Sequence, residues 1–137
     1  MARPTTALEK VSASGVNATA VFALTTPVLL MQGPSTSWRI LTIGLFFVYT
    51  IACLLLPERR DLGMFVVRSK YAHDYPLWQL TIYNLLYTAS FATLFIHLWF
   101  PFDVFLINIF IIQLPVVIWK QTTLHGYLAG NILTIKK

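Results

Sequence analysis

The polar side chains set inside apolar runs are the places where this sequence could do chemistry. Thr81, Asn84 and Thr88 recur at i, i+3 and i+7 in a run that starts at Leu77, a spacing that places them on one helical face. Asn108 and Gln113 sit inside the next run. Polar groups at membrane depth are costly, so such a strip reads in one of two ways: as the lining of a path for an ion or small solute, or as hydrogen-bonding glue between packed helices. None of the five side chains is ionisable, whereas proton and ion relays use Asp, Glu or His, and this favours glue.

His97 and Asp103 are the titratable groups nearest a run. They read either as a pH-sensitive pair or ion entry point, or as headgroup-level residues hydrating a turn beside Trp99, Phe100 and Phe102. Glu58, Arg59, Arg60, Asp61, His73 and Asp74 fall in one polar stretch. Adjacent side chains such as His73 and Asp74 rarely point at one metal, and no nucleophile is paired with a base. Glycine-rich phosphate motifs are absent, His125-Gly126 has no HExxH partner, and the single cysteine, Cys53, permits neither an intrachain disulfide nor a cysteine zinc cluster. The expectation is a protein without catalytic residues, metal or cofactor.

The elements that must position these groups are membrane helices. Of 137 residues 57% are hydrophobic and 11% charged, and the mean hydropathy is +0.69. Soluble domains carry charge on about a quarter of their residues. The net charge of +5 would suit nucleic acid, but nucleic-acid binders cluster their bases on one exposed face, and here the bases flank apolar runs. Bases so placed read as topology signals and contacts to anionic lipid.

The runs divide the chain into spans at about 16–31, 38–56, 77–100 and 104–119, a cytoplasmic loop at 57–76 and a cytoplasmic tail at 120–137, all one membrane domain. The first run, with Thr19, Thr25, Thr26 and Pro27, is near the lower length limit for a crossing, so three spans are the alternative to four. It can also be read as the apolar core of a signal peptide, although Gln32-Gly33-Pro34-Ser35 fits a cleavage site only loosely. The third and fourth runs are together too long for one crossing, and Pro101 to Asp103 supply a breaker and a charge, so they form a helical hairpin.

Lys and Arg collect in cytoplasmic loops. With four spans and both termini inside, the inner segments hold Arg3, Lys10, Arg59, Arg60, Arg68, Lys70, Lys120, Lys136 and Lys137, nine of the ten bases, and only Arg39 lies outside. With three spans Arg3 and Lys10 move outside and the bias weakens. Arg59, Arg60, Arg68, Lys70, Lys120, Lys136 and Lys137 are therefore expected to be topology and lipid anchors. The fold class expected is an all-α, polytopic transmembrane bundle with a C-terminal interfacial segment, located in the cell membrane.

Two short motifs carry a family resemblance. Asp61-Leu62-Gly63-Met64-Phe65-Val66-Val67-Arg68 follows the second run, and Thr122-Thr123-Leu124-His125-Gly126-Tyr127-Leu128-Ala129-Gly130-Asn131 follows the last. Their order around membrane segments resembles the RDD family of small multi-pass membrane proteins, which has a Leu-Gly-Lys element after its second helix and a Thr-Leu-His-Asp-x-x-Ala-Gly-Thr element near its end. The matching positions are Leu62 and Gly63, then Thr123, Leu124, His125, Ala129 and Gly130. Met64 stands where the family has Lys, Gly126 where it has Asp, and no charged residue lies between Lys10 and Arg39, where the family's first helix carries Arg and Asp. The resemblance implies a fold. For most of that family the activity is undefined, with a few members linked to cation–proton exchange or to assembly of membrane machinery.

Without reference to the family, Gly126 and Gly130 are spaced GxxxG and predict a helical turn that packs closely on another helix. Leu124, Tyr127 and Leu128 would then lie along the membrane surface, while Thr122, Thr123 and His125 cap the turn or face water. The function expected is that of a helix-packing or assembly subunit, with an oligomeric transporter as the alternative. The partners implied are the bilayer, and a second copy or other membrane proteins.

Overall fold

The computed structural model describes residues 3–96 and 98–136, so His97 and Lys137 lie outside the described residues. Thr6 opens helix α1 (Ala7–Gln32): its hydroxyl accepts from Glu9 N, and the Glu9 carboxylate accepts from Thr6 N at 2.8 Å. This reciprocal pairing satisfies two of the backbone donors that a helix start leaves open. The helix begins nine residues before the run read from hydropathy. It also continues through the threonines and Pro27, because Thr25 and Thr26 fold their hydroxyls back onto the carbonyls of Val21 and Phe22. A hydroxyl so bonded presents no unsatisfied group to lipid.

Gly33 at φ +68° ends α1 and turns the chain into α2 (Thr36–Leu54), capped by Ser35. A short helix α3 (Leu62–Val66), capped by Asp61, and strand β2 (Ser69–Tyr71) follow. Helix α4 (Leu77–Ala92) passes into a 3-10 turn, Thr93–Phe95, so the helix of the third apolar run ends before residue 100. The last long helix, α5 (Asp103–Lys120), is widened by a π segment at Asn108–Gln113. Pro115 follows that segment, has no N–H for the Ile111 carbonyl and so favours a local departure from α geometry.

The chain closes with α6 (Leu124–Leu128) and β3 (Thr134–Lys136). With β1 (Arg3–Pro4), these strands form a small antiparallel sheet of order β1-β3-β2, pairing Arg3 with Lys136 and Lys70 with Ile135. The fold is mostly helical, but an all-α expectation misses this sheet. It ties the N-terminal segment, the 57–76 loop and the C-terminal tail together at one end of the bundle.

Helices α1, α2 and α5 are each long and apolar enough to cross a membrane. The distribution of polarity agrees. Leu24, Leu30, Ile40, Val48, Leu85, Phe110 and Ile118 are exposed, while Asn17, Thr25, Thr42, Thr50, Asn84 and Asn108 are buried. A soluble domain would not expose so continuous an apolar surface. The interior is held by an aromatic core in which Phe46 and Phe91 stack at 4.1 Å and Tyr87 meets Phe46 edge-on at 5.1 Å.

Candidate functional site

The expected polar strip does not come together as one path. Asn84 Nδ2 reaches Thr50 O on α2 at 3.4 Å, and Thr88 Oγ1 donates to Asn84 O at 2.8 Å. Thr81, at the edge of that face, donates to Leu77 O in its own helix. Asn108 pairs instead with Ser90, at 2.6 Å, across the α4–α5 contact. Residues five apart on an α-helix point about 140° apart. The π segment, with its wider turn and i to i+5 hydrogen bonds, narrows that offset and lets Gln113 Nε2 bond Asn108 Oδ1 at 3.3 Å. Gln113 Oε1 then accepts from Leu124 N at 2.9 Å and so receives the start of α6. Asn84, Asn108 and Gln113 thus join elements, while Thr81 and Thr88 are satisfied within α4.

A second polar cluster, at the sheet end, went unnoticed in the sequence apart from the Leu-Gly pair. Its hub is Asn17 on α1, 1% exposed. Asn17 Oδ1 accepts from Tyr49 Oη at 2.7 Å and from Gly63 N at 2.9 Å, and Asn17 Nδ2 donates to Tyr87 Oη at 3.2 Å. Tyr49 Oη accepts in turn from Leu62 N at 2.8 Å, and Tyr87 Oη donates to Ser14 Oγ at 2.9 Å. One amide thus joins α1, α2, α3 and α4. Position 63 must be glycine here, because a Cβ would run into the Ala13 carbonyl of α1.

The closing motif departs from its expected form. Gly130 has φ +108° and lies beyond α6, so the two glycines form no helix face. A Cβ on Gly126 would meet the Thr122 hydroxyl and Ile132 O, and Gly130 lies against Gln79 of α4. Thr123 caps α6 as expected, Ala129 joins a core cluster with Leu54, Leu80 and Ile132, and Tyr127 and Leu128 stay exposed. Leu124 is half-buried. His125 is buried at 7% exposure and does not face water. Its ring stacks on Tyr87 with centroids 5.0 Å apart and planes 1° from parallel, and it meets Tyr83 at 5.0 Å. Burial, with the Lys10 ammonium adding to it, pushes its pKa down to about 3, which leaves a neutral imidazole. Among the described residues its Nδ1 has no hydrogen-bond partner.

His125 borders two neighbouring spaces that share wall residues. A polar chamber of about 50 Å³ is lined by Thr5, Lys10, Asn17, Asp61 and Thr134 among others. An apolar cleft of about 460 Å³ runs between α1, α4 and α5, past Gly15, Ala18, Phe91, Phe105 and Ile109. Lys10, Ser14, Tyr87, Thr123 and His125 line both. Exposed Val11, Leu106 and Phe110 form the lip of the cleft, which opens sideways from the bundle.

The bases hold varied contacts around the sheet end. Arg59 donates to Tyr75 O at 2.8 Å and approaches Asp74 at 3.7 Å, Arg60 pairs with Glu58, and Lys136 pairs with Glu9 at 3.3 Å. Lys120 lies 4.1 Å over the Trp119 ring, a pairing suited to a membrane interface. Arg68 and Lys70 are exposed. At the opposite end, Asp103 is buried and accepts from the backbone N–H groups of Leu98, Trp99 and Val104 at 2.7–3.0 Å, so it organises the α4–α5 turn and does not hydrate it. Among the described residues no cluster of His, Cys, Asp and Glu is arranged to hold a metal.

The chain matches no known family model, no curated protein and no solved structure.

Proposed function

We propose that this chain is an RDD-like integral membrane protein of the cell membrane that crosses four times with both termini cytoplasmic, and that it serves as a non-enzymatic packing or assembly subunit. The observation that carries the reading is the β1-β3-β2 sheet. Strands from the start, the middle and the end of the chain pair with one another, so these segments lie on one side of any membrane and the number of crossings is even. Every described base except Arg39 lies in the segments or helix ends on that side, which makes it cytoplasmic by the charge rule.

Helix lengths support the count. The α4 helix and its 3-10 turn together rise about 30 Å, enough for the hydrocarbon core. The 26 residues of α1 rise about 39 Å, which leaves its first turns, with Glu9 and Lys10, at headgroup level. The polar groups of the spans support packing over transport, because Asn84, Asn108 and Gln113 spend hydrogen bonds on neighbouring elements and Thr81 and Thr88 spend theirs on their own helix.

Thiol labelling from each side, in a Cys53→Ala background, tests both parts. Ser35→Cys and Phe102→Cys are expected to label from outside and Leu62→Cys only from inside, while Asn84→Cys and Asn108→Cys stay unlabelled by a water-soluble reagent. Labelling of position 35 from inside overturns the four-span topology. Labelling of 84 and 108 from water replaces the packing reading with the transporter.

A further inference from the structure

A bundle that uses its polar side chains to close helix contacts still leaves a large cleft between α1 and α5, adjoining a polar chamber with which it shares Lys10 and His125. The apolar part, at about 460 Å³, falls within the range of roughly 300–1,000 Å³ typical of small-molecule sites. A transmembrane helix is too large an occupant. One turn with its side chains, 10–12 Å across and 5.4 Å high, already takes roughly 400–600 Å³, and stable helix packing needs several turns. An extended alkyl chain suits the shape, entering from lipid past Val11, Leu106 and Phe110.

Lys10 and His125, which line both the cleft and the chamber, set the head. The chamber's volume of about 50 Å³ has room for about three to five waters or one small polar group. Lys10 Nζ donates to Thr5 Oγ1 and, at 3.1 Å, to Thr134 Oγ1, and among the described residues it forms no ion pair. An ammonium carries three donors, so one is left for a ligand.

The acids that line the chamber do not fill that role. Glu9 is held by Arg3 through bonds of 2.6 and 3.0 Å and by Lys136. Asp61 Oδ1 accepts from Met64 N, and burial pushes its carboxyl pKa up, which disfavours a negative charge there. His125 Nδ1, buried and without a partner among the described residues, borders the same space, and a buried polar atom left unpaired calls for a partner.

We infer that the α1–α5 cleft binds a single-chain amphiphile with a small anionic head, a carboxylate or a phosphate monoester, its chain between α1, α4 and α5 and its head against Lys10 and His125. This rests on the bilayer placement proposed above, because the cleft opens at membrane depth. It adds a ligand to a protein otherwise read as a packing subunit.

The test uses the full chain purified in a nonionic detergent, with native mass spectrometry for stoichiometry and thermal unfolding for affinity. The probes are palmitate, palmitoyl lysophosphatidate, hexadecanol and palmitoyl lysophosphatidylcholine. One equivalent of palmitate or lysophosphatidate is expected to bind and raise the Tm, and the preference between them tells which head the chamber takes. Hexadecanol and the zwitterion should bind at least tenfold more weakly. Lys10→Gln should remove that preference, whereas Arg39→Gln, at the far end, should keep it.

Gly15 lies on the cleft wall with open space where a Cβ would stand, so Gly15→Leu fills the cleft and leaves the fold intact. It should abolish binding without lowering the Tm of the free protein. Equal binding of the charged and uncharged probes, unaffected by Gly15→Leu, overturns the proposal as micelle-like partition. A ligand-free dimer that Gly15→Leu converts to monomer overturns it in favour of a second copy. Either failure leaves the labelling pattern of positions 35, 62 and 102 unchanged, so it is distinguishable from failure of the topology.

Discussion

Helices α1, α2 and α4 meet through interlocked rings, whereas α5 meets them across a cleft. In the first region Phe22, Phe46, Tyr87, Phe91 and Phe95 are in ring contact, and the Asn17 amide ties the sheet-end turns of three helices to α3. In the second, the bonds that seat α5 are the Asn108–Ser90 pair and the reach of Gln113 to Asn108 and Leu124. Lipid tails are as apolar as the helix surfaces, so burial alone drives little association in a membrane, and close packing with satisfied polar groups does the holding. The contrast separates a closely packed unit from a helix held at few points beside a cleft.

The largest effect is expected at the hub. Asn17→Ala removes the acceptor of Gly63 N–H and Tyr49 O–H and a donor to Tyr87 at once, leaving a buried backbone donor unpaired. The expected cost is about 3 kcal/mol, since each orphaned buried group costs about 1–3 kcal/mol. Denaturant titration of the purified protein reads it directly. A loss below about 1 kcal/mol would show that the first region is held by its rings alone.

His125 sits where the two regions join and tests them through pH. Its pKa lies near 3 when folded against 6.5 when free, so the unfolded chain binds more protons between those values. The neutral ring's contribution is whole above about pH 6.5 and falls as the pH drops toward 3, by about 1.4 kcal/mol per unit. Asp61 has the opposite slope: burial raises its carboxyl pKa, so its contribution falls as the pH rises above 3.8. Subtracting the profile of His125→Gln from that of the wild type cancels Asp61. The wild type should lose stability relative to the variant from pH 6.5 to 4, and parallel profiles would place His125 in water.

What the sequence disclosed follows the same division. The long apolar runs gave α2 and α5 within two residues of their ends, because length and hydropathy are local properties. Thr19, Thr25, Thr26 and Pro27 made α1 look short, yet two of the threonines bond their own helix and conceal their polarity, which composition does not show. The sheet was invisible: strands of two or three residues carry no periodicity, and their pairing joins positions more than sixty residues apart. Thr81, Asn84, Thr88, Asn108 and Gln113 stand out in the sequence as polar residues within apolar runs, but their separation into α4–α2 and α5 contacts depends on the π segment, an irregularity that only Pro115 hints at. Asn17 escaped notice because a lone Asn among Ala, Val and Thr has no motif. Lys10 was read as a topology signal because its chamber is built by Thr5 and Thr134 from opposite ends of the chain.

The smallest effect is expected where α5 is seated. Gln113→Leu fits the apolar cleft that residue 113 lines and removes both the bond to Asn108 and the acceptor of Leu124 N–H. Leu124 is only partly buried, and the Thr123 cap of α6 remains, so water can compensate the freed amide. The cost to global stability should be about 1 kcal/mol or less, as for a single net hydrogen bond. The local consequence should be larger than the global one. With α6 released from α5, the Leu124 amide should exchange with solvent at least tenfold faster, while amides of α2 keep their protection. Uniform loss of protection across α2 and α6 would mean that the two regions unfold as one, and that the cleft is a rigid gap and not a joint.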